Sequence, residues 1–224
     1  MQAAKLLSKA DVIIYDDLGG STVLDLAKRG ARLVDVGKRG GNARSWKQEE
    51  INRLLVDSCE PGACVVRLKG GCPSVFSRAS SELRALAAHD IPFDITPGVS
   101  SALAAPLLAG VPLTDRDVGR AFAVASAHSP AALNWAALAG IDTVVLLMAG
   151  RKLAEAADAL LGQGRPRDDP VLVVRSAGVE GAERGEWRST LGAVAADLAV
   201  EIASGALSPC VVVVGRVVDA VPRQ

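Results

Sequence analysis

VIIYDDLGGSTVLDLAKRGARLVDV, residues 12–36, passes from one β-rich run through a helical stretch into a second β-rich run. Residues 12–15 and 32–36 carry the β-branched and apolar side chains of strands. Between them Ser21 suits the N-cap of a helix over 22–28, and Gly30 suits its close. The alternation continues outward. Residues 47–58 have helical spacing, with Ile51, Leu54 and Leu55 on one face. Residues 64–68 read as a third strand ending at Gly70 and Gly71, 80–88 as a helix, and 93–95 as a short strand. An apolar helix over 100–109 follows the Pro97-Gly98 turn. The pattern then restarts, with strands expected at 122–125, 143–148, 171–175 and 210–214 and helices at 152–161 and 191–202. Continuous Val, Ile and Leu runs alternating with helices argue for a mostly parallel α/β architecture. The stretch 111–119 turns polar after Leu113 and has no period, so a boundary is expected there, giving domains 1–114 and 115–224.

Composition narrows the function. The chain has 224 residues, half of them hydrophobic, and its 25 acidic and 25 basic residues cancel. No net positive field is available for electrostatic nucleic-acid binding, so no nucleic-acid partner is expected. Apolar runs such as 102–108 are too short to span a bilayer, and the first residues, MQAAKLLSKAD, lack the apolar stretch of a secretory signal. Cys59, Cys64, Cys72 and Cys210 form no CxxC pair, and the histidines are His89 and His128 alone. No metal site is expected. A cysteine set of this kind implies a reducing, cytoplasmic compartment, with a plastid also open if a transit peptide is absent from the chain.

In open α/β sheets ligands bind beyond the carboxyl ends of the strands. That rule directs attention to Asp16-Asp17, to 37–41, to 69–73 and to 148–150. A carboxylate such as Asp16 at a strand end can accept a proton, and it can equally cap the turn before Gly19-Gly20. Lys38, in VGKRGG, can donate a proton or attract an anion, or can sit with Arg39 and Arg44 in a solvated loop. Amides exposed at Gly70-Gly71 can bind a carboxylate or ribose hydroxyls, though Gly-Gly is also a common turn. Met148 reads first as core packing at the end of a strand. Cys72 reads first as a small packing residue, and Trp46, Trp135 and Trp187 are too scattered to form a stacking platform. Neither GxGxxG nor GxxxxGK[ST] occurs, so a nucleotide phosphate site has no support.

Taken in order, ADVIIYDDL, DVGKRGGNARSWKQEEINRLLV, VVRLKGGCPSVFSRASSELRAL, PFDITPGVSSALAAPLLAGVPLTDRDV, VLLMAGRKLAEAADALLGQGRP and SPCVVVVGRVV resemble the tetrapyrrole methylase family, across residues 3 to 217. The resemblance implies two α/β domains with an active-site cleft between them, a mostly parallel sheet in the first and a mixed sheet in the second. It implies S-adenosylmethionine as methyl donor and a homodimer. The activity it implies is C-methylation of uroporphyrinogen III to precorrin-2 through precorrin-1, leading to siroheme and cobalamin. By the same resemblance Asp16 is the proton acceptor and Lys38 the proton donor. Gly70, Gly71, Val75, Ser100, Ser101 and Met148 contact the cofactor. Lys38, Arg39, Arg67, Lys69 and Arg116 are the cations expected to draw in a polycarboxylate substrate. The sequence also departs from the family. It begins after the point where the family places a strand and a GxGPGDP loop. GGDP is GGCP at Cys72, FGRG is FSRA at Ser77 and Ala79, LTHR is LTDR at Asp115, and TGH is SAH at 126–128. These departures keep a second reading open, a weak or inactive family member or fragment that binds tetrapyrrole without transferring methyl groups.

Overall fold

The computed structural model describes residues 2–16, 21–37, 46–178 and 181–221. The chain divides into two compact units, residues 1–100 and 101–224.

In the first unit, β1 (Val12–Tyr15), β2 (Arg32–Asp35) and β3 (Val65–Leu68) form a parallel sheet in the order β2-β1-β3. Neighbouring side chains of a strand point to opposite faces. Ile13 is therefore buried with Leu7 of α1 (Gln2–Leu7), while Ile14 is buried with Ile51 and Leu55 of α2 (Gln48–Asp57) and Leu86 of α3 (Ala79–Ala87). Both faces of β1 are covered, which is why it reads as a continuous apolar run rather than an alternating one. The start of α2 is fixed by Glu50, whose carboxylate accepts the Lys47 backbone N–H at 2.8 Å.

Two expectations fail in this unit. The helix expected over 22–28 is a 3-10 segment, Ser21–Leu26, and the Ala27 N–H bonds the Leu24 carbonyl at 2.9 Å. So short a segment gains little from the i→i+4 pattern. Residues 93–95 join neither sheet, and Phe93 and Ile95 are 43% and 54% exposed. Apolar composition does not make a strand unless a ladder is available to pair with.

In the second unit, β4 (Phe122–Ser126), β5 (Thr143–Leu147), β6 (Pro170–Arg175), β7 (Gly185–Thr190) and β8 (Cys210–Val214) form a sheet in the order β4-β5-β8-β6-β7. Only the β4–β5 pairing is parallel, so the sheet is mixed. On one face Val144, Leu146, Val171, Val173, Val212 and Val214 pack with α6 (Leu153–Gly162) and with Val194 of α7 (Val194–Asp197). On the other, Val145, Leu172, Val211 and Val213 are buried, and α4 (Ser101–Leu108) packs on β5, β6 and β8 with Ala102, Ala105 and Pro106 buried. Behind β5, Arg165 is enclosed. Its guanidinium donates to Asp169 Oδ2 at 2.7 Å and to the carbonyls of Ile141, Asp142 and Val214 at 2.7, 2.8 and 3.3 Å.

The short helices α1 and α5 (Trp135–Ala139) and the strand β7 escaped the sequence reading. The segment GEWRST is largely polar, and β7 exists because β6 supplies its hydrogen bonds along one edge. The helix expected over 191–202 is two pieces, α7 and α8 (Ala199–Ser204), parted at Leu198, where φ is −114° and ψ is 22°. Leu191, Val194 and Leu198 are nonetheless all buried, as their spacing required. No described helix is long and apolar enough to cross a membrane.

Candidate active site

β1 and β3 run parallel with Tyr15 opposite Leu68, so Asp16 and Lys69 leave the sheet at the same edge. Asp16 Oδ2 accepts a hydrogen bond from Arg67 Nη2 at 2.9 Å. Its other oxygen, Oδ1, is buried and has no hydrogen-bond partner among the described residues. Arg67 also donates from Nη1 to the Leu68 and Ile14 carbonyls, at 2.6 and 3.3 Å, and from Nε to Glu82 Oε1 at 3.2 Å. Lys69 Nζ lies 2.9 and 3.0 Å from the two Glu82 oxygens. Gln48 Nε2 donates to Glu82 Oε1 at 3.4 Å and to Asn52 Oδ1 at 3.0 Å. Asn52 in turn bonds Ser81 Oγ at 2.9 Å.

This network corrects one expectation. Arg67 and Lys69 do not reach outward for substrate carboxylates. Their side chains are 11% and 8% exposed and are held on carboxylates of the chain itself. Burial, aided by the Arg67 charge, holds the Lys69 ammonium below the usual lysine range, although Glu82 pulls the other way. The hub, Glu82, was missed because a glutamate in an amphipathic helix reads as solvated. The signal was its position four residues before Leu86, on the buried stripe of α3.

Gly70 and Gly71 carry the chain away from β3, with Gly71 at φ +74°. A Cβ at Gly98 would collide with the Gly71 carbonyl oxygen, so the two loops can approach only through glycine. Cys72 Sγ lies 3.0 Å from Ser74 Oγ. The Ser74 hydroxyl and amide, together with the Gly98 amide, hold the Cys72 thiol below the usual range. Val75 is half-buried. Phe76 and Arg78 then take left-handed φ values of 46° and 60°, a concentration of backbone strain beside the candidate site. Ser100 is buried, and Ser101 is exposed at the first position of α4.

Met148, in the second unit, does not pack in the core. The buried strand β5 stops at Leu147, and Met148 turns out at φ +58° with 48% of its surface exposed and its sulfur 4.0 Å from Ser126 Oγ. Lys38, with Arg39, Gly40, Gly41 and Asp17, lies outside the described residues. No group of three His, Cys, Asp or Glu side chains among the described residues could hold a metal ion. A depression of about 540 Å³ along β7, lined by Trp187 and Arg188 among others, includes none of the candidate residues.

Comparison with known proteins gives this geometry a context. Residues 1–195 match the family described as Tetrapyrrole (Corrin/Porphyrin) Methylases. A uroporphyrinogen-III C-methyltransferase of Synechococcus elongatus is 44% identical over 218 residues, 97% of this chain and 87% of that protein. Siroheme synthase 1 of Yersinia enterocolitica is 39% identical, over 98% of this chain and 46% of its own length. The crystal structure of uroporphyrin-III C-methyl transferase from Thermus thermophilus complexed with S-adenosylhomocysteine superposes with a TM-score of 0.79 at 32% identity, covering 98% of this chain and 92% of that one.

Proposed function

Because the chain belongs to the tetrapyrrole (corrin/porphyrin) methylase family, we propose that it methylates pyrrole carbons of uroporphyrinogen III with S-adenosylmethionine as donor. The observation that carries this reading is the near-full-length likeness to a C-methyltransferase of that substrate. The finer reading is two successive transfers, through precorrin-1 to precorrin-2. The siroheme synthase relative favours siroheme as the destination, with cobalamin a second outlet. A homodimer in the cytoplasm completes the proposal.

The residues present fit the methyl donor. In the first unit Gly70 and Gly71 offer backbone free of side chains and Val75 offers apolar surface, with Ser100 assigned by the family resemblance; in the second unit Ser101 offers an exposed hydroxyl and Met148 an exposed thioether. When bound, S-adenosylmethionine would supply an electrophilic methyl group to an electron-rich pyrrole carbon. The protein's share is alignment and proton movement. The Asp16 carboxylate is the acceptor for the proton lost from the methylated ring, held by Arg67 through Oδ2 and with Oδ1 unpartnered among the described residues. Lys38 is the donor for the returning proton.

One observation favours the second reading, a family member that binds without turnover. Cys72 stands where the family pattern has the aspartate of GGDP. Calorimetric titration with S-adenosylhomocysteine, followed by transfer of labelled methyl to uroporphyrinogen III, separates the two. Micromolar binding, about −8 kcal/mol, with turnover is the expected result. Asp16→Asn is expected to lower kcat by about 100-fold or more while leaving S-adenosylhomocysteine binding unchanged. Binding without turnover in the native chain establishes the second reading, and full activity in Asp16→Asn removes Asp16 from the chemistry.

A further inference from the structure

The proton-accepting reading of Asp16 leaves the most enclosed charge among the described residues of the first unit unexplained. Glu82 is 3% exposed, yet it lies on α3 rather than at a strand end, and it shares Arg67 with Asp16 as a hydrogen-bond partner. Its partners are Arg67, which also holds that acceptor, and Lys69, one residue beyond the end of the neighbouring strand β3. Arg67 Nε and Lys69 Nζ both point at Glu82, and only Nη2 of Arg67 is left to reach Asp16, at one oxygen. The four side chains carry two positive and two negative charges in their usual states, so the cluster is neutral as a whole. Its geometry is uneven, however. Glu82 takes Nε of the guanidinium and two contacts from the ammonium, and Asp16 Oδ1, itself buried, stays unpartnered among the described residues.

A guanidinium beside a carboxylate prefers the two-pronged arrangement, in which both oxygens are occupied. That arrangement at Asp16 would tie up both oxygens and leave none for a substrate proton. We propose that Glu82 is a positioning residue that prevents this, holding Arg67 by its Nε edge and Lys69 by its ammonium so that Asp16 keeps one oxygen free for proton transfer. The inference rests on the reading of Asp16 as the proton acceptor. Gln48 belongs to the same device, since its amide completes the set of donors around Glu82 Oε1 and ties it to α2 through Asn52.

The test uses the full-length chain and two variants. Glu82→Gln removes the anchor and leaves an unbalanced buried cation, so it loses stability as well as activity. Glu82→Gln combined with Lys69→Met restores the charge balance, because Arg67 and Asp16 then pair alone. The proposal expects this double variant to recover the thermal midpoint of the native protein while its kcat stays at least about tenfold low, since Arg67 is free to close on both oxygens of Asp16. KM for uroporphyrinogen III and affinity for S-adenosylhomocysteine are expected to be unchanged. Recovery of both midpoint and kcat in the double variant overturns the proposal and leaves Glu82 a purely structural ion partner. Asp16→Asn distinguishes the two layers of the argument. If that variant is fully active, the acceptor assignment has failed. If it is inactive while the double variant is fully active, only the role of Glu82 has failed.

Discussion

Cys72 and Cys210 have the same side chain and opposite surroundings. Cys72 lies at the end of the β3 loop, where Ser74 and the Gly98 amide favour the thiolate. Cys210 is buried at the start of β8, and burial pushes its thiol up to about 11. Burial also raises the Cys59 thiol. Iodoacetamide at neutral pH is therefore expected to modify Cys72 first and Cys210 last, as read by peptide mass spectrometry of the quenched native protein. Modification of Cys210 before Cys72 would show that the loop does not favour the thiolate. Sequence alone treated Cys72 as inert packing, because its activating partners are an amide 26 positions away and a serine whose orientation is set by a turn. Asp16 was legible because the strand that precedes it is unmistakable. Glu82 was not, because nothing in its chemistry distinguishes a glutamate that faces water from one that faces Arg67 and Lys69.

At the scale of elements, the buried strands were easy to read and the marginal elements were not. β1 and β8 begin and end where their apolar runs do, since a strand covered on both faces excludes polar residues. β7 and residues 93–95 reversed the expectation, for one reason. Strand formation depends on a neighbour with free hydrogen-bonding groups, which β7 has in β6 and residues 93–95 do not have within either sheet. Arg165 shows the same dependence on context. It links the turn before β6 to β5 and β8 through Asp169 and three carbonyl oxygens. Replacing it with Leu leaves a buried carboxylate and those carbonyls short of donors. The expected loss is about 3–5 kcal/mol in urea unfolding. A loss below about 1 kcal/mol would mean that Arg216, whose Nε lies 3.3 Å from Asp169 Oδ1, compensates the charge alone.

For the whole molecule, Cys210 makes alkaline stability readable. The folded thiol keeps its proton to about 11, whereas the unfolded one releases it near 9.0. Between those values the native state binds more protons, so this contribution is complete below pH 9 and is lost as pH rises through 11. It amounts to about 2–3 kcal/mol. The stability difference between the native protein and Cys210→Ala is expected to shrink by that amount across the interval, and a constant difference would show that the thiol is not held neutral by burial. The strands β1 to β6 and β8, the α/β class and the strand-end position of Asp16, Gly70, Gly71 and Met148 were determined by the sequence itself. They follow from short-range physics: apolar runs long enough for a strand, helical periodicity, and glycine at sharp turns. The tertiary structure alone decided that Arg67 and Lys69 turn inward to Glu82, that Met148 leaves the core, and that Gly98 presses on Gly71. Each of those outcomes depends on which distant side chain or backbone atom occupies the adjoining space, and a linear pattern carries no record of that.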